Sequence, residues 1–235
     1  MNFVKNTIKQ IFGKKLIHKI EEYVCSSNLS KLAQIYNSDK YGRHLYTPIY
    51  ERVFHSLRHK KLNILEIGVG GYDRPTEGGA SLKMWKRYFP KSNIYAIDIF
   101  DKSKLQENRI KIFQGSQDDI VFLEKVVQQT GVLDIIIDDG SHINKHVISS
   151  FNFLFPKLKN GGIYVIEDLE TAYRDDMGGD SNDLNNSSTS MNFFKTIVDA
   201  VNYHEFNNNL YEHIEFVDKI ESIHFYHNLI FIFKK

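Results

Sequence analysis

Short apolar runs alternate with amphipathic stretches from about residue 47 to residue 205. The runs are rich in isoleucine, leucine and valine, which is typical of strands buried on both faces of a sheet. The stretches between them repeat apolar residues at intervals of three and four, which predicts helices. Strands that alternate with helices predict an α/β fold, with a mostly parallel sheet covered by helices on both faces. The predicted strands are Leu62–Ile67, Asn93–Ile99, Ile110–Phe113, Leu133–Ile137 and Gly162–Ile166, and the predicted helices are Thr47–His59, Ala80–Tyr88, Phe122–Gln129, Ile143–Phe155 and Met191–Tyr203.

Both ends of the chain depart from this alternation. The strand-like runs Ile220–Tyr226 and Leu229–Phe233 are joined by two residues, which predicts a C-terminal antiparallel hairpin. Residues 1–31 carry apolar side chains at helical spacing with lysines between them, which predicts an amphipathic helical extension before a domain of residues 32–235. Such a helix either packs on its own domain or lies at a membrane surface or an oligomer interface, and the pattern favours packing.

One internal segment carries little apolar side-chain area. Residues 175–190 are so rich in aspartate, asparagine, serine and glycine that they predict a mobile loop that does not pack. Because this loop follows the predicted strand Gly162–Ile166, it is either a lid over a site or a plain insertion.

Composition and net charge limit the kinds of partner that the protein is expected to bind. The 235 residues are 42% hydrophobic and 25% charged, which is typical of a globular protein. Thirty basic residues against 29 acidic ones leave a net charge of +1, so a small acceptor is favoured over nucleic acid. The single cysteine, Cys25, rules out an internal disulfide and fits a cytoplasmic protein, and no apolar stretch is long enough to span a membrane.

Two acidic clusters follow predicted strands. Asp138–His142, with the sequence Asp-Asp-Gly-Ser-His, comes directly after Leu133–Ile137, and Glu167-Asp168 comes after Gly162–Ile166. Carboxyl ends of parallel strands meet at the same edge of a sheet, where ligands of such folds bind. Several carboxylates and an imidazole at one edge predict a site for a hard divalent cation beside a general base.

The first strand leads into a glycine-rich turn that predicts a cofactor site. Glu66, Gly68 and Gly70 lie at its end, but Asp73 stands where a dinucleotide fingerprint would have its third glycine. A cofactor without phosphates therefore fits better. The second strand leads to Asp98, whose carboxylate can accept hydrogen bonds from ribose hydroxyls, and Gln117 follows the third strand, where an amide can meet an adenine edge.

The motifs together resemble a known family. The chain is similar to the class I S-adenosylmethionine-dependent methyltransferases, in particular the metal-dependent sugar O-methyltransferases of macrolide and polyketide tailoring. The resemblance implies a Rossmann-like class I methyltransferase fold. It rests on Ser38–Gly42, Tyr46–Pro48, Leu65–Tyr72, Gly78–Trp85, Asp98–Lys102, Asp138–His142 and Val165–Leu169.

This resemblance implies a role for each motif residue. It implies S-adenosylmethionine as the cofactor, Mg²⁺ as the metal and His142 as the base. Carboxylate ligands also suit Mn²⁺. His146 ranks second as the base, because it lies deeper in the predicted helix and away from the strand end. The implied metal ligands are Asp139, Glu167 and Asp168; Asp138 is either cofactor-facing or structural. The implied cofactor pocket consists of Asp39, Tyr46, Thr47, Glu66, Gly68, Gly70, Ser81, Asp98, Gln117 and, in its cofactor-facing reading, Asp138.

The resulting hypothesis is methyl transfer to a hydroxyl of a sugar or glycoside. A divalent cation lowers the pKa of a bound hydroxyl, and a neutral histidine can then accept its proton. A catechol-like diol would use the same metal chemistry, so it stays open as an acceptor. A nicotinamide oxidoreductase is disfavoured by Asp73, and a non-catalytic scaffold by the complete set of implied metal and base residues. A homo-oligomer is compatible with the sequence.

Overall fold

The computed structural model describes residues 13, 16–205 and 216–235. The predicted N-terminal helix lies partly outside these residues, because residues 1–12, 14 and 15 are not described. The chain forms two compact units. One consists of residues 1–61 and 79–92, and the other of residues 62–78 and 93–235.

The first unit is helical. Residues 16–24 form α1, and α3 continues into a 3₁₀ turn at His55–Leu57. Its core is aromatic: Tyr50, Phe54 and Trp85 are fully buried, and the Tyr50 and Trp85 rings meet edge to face at 5.0 Å. The Asn28 side chain accepts a hydrogen bond from the Lys31 backbone N–H and caps α2. The other helices are α2 (Leu29–Tyr36), α3 (Thr47–Phe54) and α4 (Ala80–Tyr88).

The second unit contains a seven-stranded sheet of order β3-β2-β1-β4-β5-β7-β6. The first five strands in this order are parallel, and β7 is antiparallel to both β5 and β6. The predicted α/β class, parallel sheet and C-terminal hairpin are therefore confirmed. The strands are β1 (Asn63–Ile67), β2 (Asn93–Asp98), β3 (Ile110–Gln114), β4 (Leu133–Asp138), β5 (Leu158–Glu167), β6 (Ile220–Tyr226) and β7 (Leu229–Lys234).

Helices of the second unit pack on one face of this sheet. Leu65, Ile136 and Tyr164 lie side by side across β1, β4 and β5, and they share a buried core with Phe151 and Phe155. Phe151 and Phe155 come from a helix whose apolar residues recur every three or four positions, as its sequence predicts. The helices of this unit are α5 (Ile120–Thr130), α6 (Asn144–Lys157) and α7 (Ser190–Thr196), with 3₁₀ turns at Ser103–Leu105, Leu169–Tyr173, Asp175–Met177, Ile197–Glu205 and Val217–Lys219.

The strand order reverses direction between β1 and β4. From β1 the sheet grows through β2 and β3 on one side and through β4 and β5 on the other. Ligands of open α/β sheets bind outside the carboxyl ends of the strands at such a point. A ligand site is therefore expected at the loops after β1, β4 and β5.

Most side chains of the polar segment 175–190 are exposed, as its composition predicts, but hydrogen bonds tie the segment to its surroundings. Thr189 and Ser190 are buried, and the Asp180 backbone N–H donates to the Ala172 carbonyl at 2.9 Å. Within the segment, Asp180 accepts hydrogen bonds from the backbone N–H groups of Asn182 and Asp183. Short polar side chains that bond to nearby backbone give such a segment a defined shape without apolar burial.

Among the helices that the structure describes, none combines the length and apolar character needed to cross a membrane.

Candidate active site

The two acidic clusters lie at one edge of the sheet, as predicted. Asp138, the last residue of β4, pairs in register with Ile67 of β1 and Ile166 of β5. The Asp139 backbone N–H donates to the Ile67 carbonyl at 3.0 Å, so this residue is held directly past the strand ends. Asp168 follows β5 at the same edge.

Three side chains converge there. Carboxylate oxygens of Asp139 and Asp168 and a ring nitrogen of His142 all lie within 4.8 Å of one another. The His142 Nε2 atom is 4.0 Å from Asp139 Oδ1 and 3.8 Å from Asp168 Oδ2. These separations exceed hydrogen-bond length but suit ligands around a common centre. We call Asp139, His142 and Asp168 the metal-binding group, because they are candidate ligands of a cation.

The donor atoms of this group fit a divalent cation. Two carboxylates supply the oxygen ligands that Mg²⁺ and Mn²⁺ prefer. The three side chains are between 20% and 28% exposed, so a small ligand can reach them. His142 can act there either as a ligand or as a base.

The backbone at two of these residues is unusual. His142 and Asp168 have φ values of 57° and 55°, in the left-handed region that residues with a Cβ rarely occupy. Each such conformation costs about 1 kcal/mol or more and persists only where the surroundings hold it. Backbone strain of this kind is enriched at functional sites.

Asp138 lies beneath the metal-binding group in a buried polar network. Both of its oxygens accept hydrogen bonds from Gln117 Nε2, at 3.1 and 3.2 Å, and Ser150 Oγ donates to its Oδ2 at 2.8 Å. Burial raises the pKa of Asp138 to about 6, against the opposing effects of the Ser150 hydrogen bond, the nearby His142 and the Gln117 hydrogen bond. Gln117 Oε1 also accepts from the Ser141 backbone N–H at 2.7 Å. The network therefore supports the loop that carries Asp139 and His142.

His146 has its own partners on the other side of this loop. Its Nε2 lies 3.2 Å from Asp118 Oδ2, and its Nδ1 lies 3.1 Å from Ser141 Oγ. A hydrogen bond from Ser116, followed by the attraction of His146, lowers the pKa of Asp118. His146 thus bridges the loops after β3 and β4, whereas His142 faces the two carboxylates of the metal-binding group.

No protein-family model matches the chain. Curated proteins do match it. The chain is 44% identical over 209 residues to mycinamicin VI 2''-O-methyltransferase of Micromonospora griseorubida, an alignment that covers 88% of the chain and 52% of that protein. It is 48% identical over 179 residues to 8-demethyl-8-(2-methoxy-alpha-L-rhamnosyl)-tetracenomycin-C 3'-O-methyltransferase of Streptomyces olivaceus, covering 76% of the chain and 46% of that protein.

A solved structure agrees with these relatives. The MycE methyltransferase of the mycinamycin biosynthetic pathway, in complex with Mg and SAH, matches with a TM-score of 0.84 and 44% identity over 88% of the chain and 53% of its own length. The chain is a homologue of sugar O-methyltransferases. This confirms the resemblance seen in the motifs and the Rossmann-like class I fold. The chain spans about half the length of the curated relatives it matches, 52% and 46% of the two named above.

In this methyltransferase homologue, Glu167 lies beside the metal-binding group in sequence but not within it. It is the last residue of β5, pairs with Leu229 of β7, and is 4% exposed. Its predicted role as a third carboxylate ligand stays a prediction. The metal-binding group contains His142, whereas the sequence resemblance implies Glu167 as the third ligand. The role of His142 as base stays a prediction too.

Predicted cofactor residues of the second unit lie at the carboxyl ends of the strands. Glu66 is fully buried in β1. At the end of β2, Asp98 accepts hydrogen bonds from the backbone N–H groups of Val69 and Phe100, each at 2.9 Å. Gln117 and Asp138 bond to each other, which fits the structural alternative for Asp138. Whether any of these groups also contacts a cofactor stays a prediction.

The two predicted glycines differ in what surrounds them. A Cβ at Gly68, where φ is +95°, would lie 2.0 Å from the Asp139 carbonyl oxygen. Gly68 therefore lets the loops after β1 and β4 approach each other. Gly70 has φ of +75° and open space around it. Beyond Gly70, the buried Lys102 ammonium donates to the Arg74 and Glu77 carbonyls at 2.9 and 3.1 Å and holds the turn that follows.

Four predicted cofactor residues belong to the first unit. Thr47 is fully buried, and its Oγ1 lies 2.9 Å from Ser30 Oγ. Tyr46 is 3% exposed and its ring stacks on His44 at 4.8 Å. Asp39 is exposed in the turn before α3, and Ser81 is partly buried in the first turn of α4. Their predicted contact with the cofactor is untested.

Sequence reasoning missed the polar residues of α6. Ser150 bonds to Asp138, and Asn144 bonds to segment 171–190. Both are buried on a helix whose apolar stripe includes Val147, Phe151 and Leu154. A polar residue at a position of the buried stripe was the available signal, because such a side chain needs a partner inside the protein.

Proposed function

We propose that this chain carries out S-adenosylmethionine-dependent, Mg²⁺-dependent methyl transfer to a hydroxyl of a sugar in a small-molecule glycoside. The observation that carries the proposal is the convergence of Asp139, His142 and Asp168 at the switch point of the sheet, in a homologue of sugar O-methyltransferases. MycE structures hold Mg and SAH, and one of them also holds mycinamycin VI.

Metal binding and proton transfer are assigned to different residues of the site. Asp139 and Asp168, with Glu167 as a third carboxylate, would hold the cation. A bound divalent cation lowers the pKa of a coordinated hydroxyl and orients it toward the methyl donor. A sugar hydroxyl is otherwise protonated at neutral pH and is a weak nucleophile. A cation held by these carboxylates would make the hydroxyl easier to deprotonate and therefore more reactive.

His142 is the proposed proton acceptor. Its imidazole lies at the same sheet edge, with Nε2 4.0 Å from Asp139 Oδ1 and 3.8 Å from Asp168 Oδ2, and a ring nitrogen there can accept the proton of a nearby hydroxyl. Asp138 and Gln117 hold the loop that carries His142, through the bond of Gln117 to the Ser141 backbone N–H. S-adenosylmethionine, when bound, would supply the sulfonium methyl group to the acceptor oxygen and would be released as S-adenosylhomocysteine.

The cofactor end is supported by the carboxyl ends of β1 and β2. Glu66 and Asp98 lie at the ends of adjacent strands, and Gly68 and Gly70 follow the first of them, at the point where open α/β sheets bind nucleosides. Asp39, Tyr46, Thr47 and Ser81 are further candidates, proposed on the family resemblance. The partner is a small-molecule acceptor; a cytoplasmic location and a homo-oligomer remain predictions from the sequence.

A transfer assay tests the proposal. The full chain is incubated with methyl-labelled S-adenosylmethionine, Mg²⁺ and a panel of glycosides and catechols, with EDTA-treated protein as the control. We expect label in a glycoside, and none after EDTA until Mg²⁺ or Mn²⁺ is restored. Label in catechols alone would show that the acceptor is a catechol rather than a glycoside. Methyl transfer without metal would contradict the proposal that Asp139 and Asp168 hold a cation needed for the reaction.

A further inference from the structure

Asn144 is the first residue of α6, two positions after His142, and it is 1% exposed. Its side-chain amide makes four hydrogen bonds. Nδ2 donates to the carbonyls of Thr171 at 3.0 Å and Met177 at 2.9 Å. Oδ1 accepts from the backbone N–H of Ser190 at 2.7 Å and from its Oγ at 2.8 Å. Both donor hydrogens and both acceptor positions of the amide are therefore used.

All four bonds go to one distant segment of the chain. Thr171 lies in the 3₁₀ turn that begins directly after Asp168, Met177 ends the next turn, and Ser190 begins α7. Asn144 thus closes residues 169–190 into a loop anchored at its start, near its middle and at its end. We call residues 169–190 the anchored loop.

The placement of Asn144 goes beyond a helix cap. Asparagine near a helix start ordinarily accepts a hydrogen bond from its own helix. Here all four side-chain hydrogen bonds described above connect Asn144 to residues outside its helix. The residue therefore joins the loop after β4, which carries Asp139 and His142, to the loop after β5, which carries Asp168.

The metal-binding group needs such a connection. Asp168 and His142 come from different loops, both have left-handed backbone, and their facing atoms are 3.8 Å apart. Strained backbone persists only where surrounding contacts fix it, and partners behind a metal ligand set its orientation and affinity. We propose that Asn144 is a positioning residue that holds Asp168 opposite Asp139 and His142 by fixing the anchored loop. This inference rests on the metal site of the proposed function.

Asn144→Asp tests the inference with little change in shape. The substitution replaces the amide donors by a carboxylate oxygen that faces the Thr171 and Met177 carbonyls, so both bonds are lost. Asn152→Asp is the matched control, because it makes the same chemical change at an exposed position of the same helix. Two measurements on the full chain, without cofactor or acceptor, are compared: Mn²⁺ affinity by titration, and amide hydrogen exchange of residues 169–190.

We expect Asn144→Asp to weaken Mn²⁺ binding by about 10-fold or more and to speed exchange across the anchored loop, with Asn152→Asp unchanged in both. Ser190→Ala, which removes one of the four bonds, should move both readouts in the same direction by less, and it decides the question if Asn144→Asp does not fold. Faster loop exchange with wild-type Mn²⁺ affinity would overturn the inference. Exchange of the anchored loop as slow as in the wild type, in both Asn144→Asp and Ser190→Ala, would overturn it as well.

The same experiment separates this inference from the proposed function. A wild-type chain that binds Mn²⁺ and transfers no methyl group would contradict the proposed activity, while a loss of affinity in Asn144→Asp would still support the positioning role. A wild-type chain that transfers methyl groups, with equal Mn²⁺ affinity in Asn144→Asp, would overturn the positioning role alone.

Discussion

The Nε2 atom of His142 lies 3.8 Å from the Oδ2 atom of Asp168, and both residues have left-handed backbone. Two loops that follow different strands therefore each adopt a costly conformation so that these side chains face each other. Asp139 completes the group at 4.0 Å from the same imidazole nitrogen. The geometry allows His142 to be a metal ligand or a base, and the two roles predict different behaviour of variants.

The first prediction separates these roles. Asp139→Asn and Asp168→Asn each remove a charged ligand, so we expect Mn²⁺ affinity to fall by about 10-fold or more and excess metal to restore part of the turnover. His142→Ala leaves both carboxylates in place, so we expect a change in metal affinity below about threefold and a fall in kcat of about 10²–10⁴-fold. Calorimetric metal titration and steady-state kinetics measure the two effects.

Two results would reassign His142. A loss of metal affinity in His142→Ala as large as in the aspartate variants would make His142 a ligand. Unchanged turnover would move the base elsewhere, first to His146, whose Nε2 lies 3.2 Å from Asp118.

The second prediction concerns Glu167. It is buried at the end of β5, beside Asp168 in sequence, and the sequence resemblance assigns it to the metal. Glu167→Gln keeps the shape and removes the charge, so as a ligand change it should weaken Mn²⁺ binding by about 10-fold. Equal Mn²⁺ affinity in Glu167→Gln and wild type would show that the cation is held without this carboxylate.

The sheet and its functional edge were predictable because their signals are local and strong. Continuous apolar runs such as Leu133–Ile137 identify buried strands, and β4 runs from Leu133 to Asp138 in the structure. Acidic residues placed directly after two such runs must share an edge, whatever the details of the loops. The convergence of Asp139, Asp168 and His142 was therefore predictable from the sequence, whereas their roles as ligands and base stay predictions.

The remaining features depend on contacts between distant segments, which a single sequence does not specify. Asn144 bonds to Thr171, Met177 and Ser190, and nothing near it in sequence indicates those partners. The same bonds anchor residues 175–190 at Met177 and Ser190, although their composition predicts a free loop. The left-handed backbone of His142 likewise follows from its surroundings, because a residue other than glycine keeps that conformation only where other contacts hold it.

The third prediction concerns the cofactor. A ligand that binds only the folded state stabilises it by mass action, so S-adenosylhomocysteine at a hundredfold excess over its dissociation constant should add about 2.7 kcal/mol to the free energy of unfolding. NADH should add nothing, because Asp73 occupies the place of the third fingerprint glycine. Thermal melts with each compound measure the difference. Stabilisation by NADH without any by S-adenosylhomocysteine would favour an oxidoreductase instead.

The fourth prediction is a pH dependence of stability caused by Asp138. Its pKa is about 6 in the folded state, mainly through burial, against 3.8 for an unperturbed aspartate. The folded state then binds a proton more tightly than the unfolded state between about pH 4 and pH 6. Ionisation of Asp138 therefore lowers the free energy of unfolding as pH rises through this window, by about 3 kcal/mol in total.

Asp138→Asn removes this dependence and keeps an acceptor for Gln117 and a polar partner for Ser150. Relative to the wild type, the variant should gain stability steadily from pH 4 to pH 6 and keep that gain at pH 7. Urea denaturation of metal-free protein at each pH measures it. Parallel curves for the two proteins across this range would show that Asp138 titrates alike in the folded and unfolded states.

The last prediction compares Gly68 with Gly70. Both have positive φ, +95° and +75°, so an alanine at either position pays for left-handed backbone, about 1–2 kcal/mol. Only at Gly68 does the added Cβ also meet backbone, 2.0 Å from the Asp139 carbonyl oxygen, which must move to relieve the clash. Overpacking of this kind adds about 1–3 kcal/mol.

Gly68→Ala should therefore destabilise the protein by about 2 kcal/mol more than Gly70→Ala in urea denaturation. It should also weaken Mn²⁺ binding, because the displaced residue is Asp139, whereas Gly70→Ala should leave Mn²⁺ affinity unchanged. Equal effects of the two substitutions on both quantities would show that the loops after β1 and β4 are not held in this close contact.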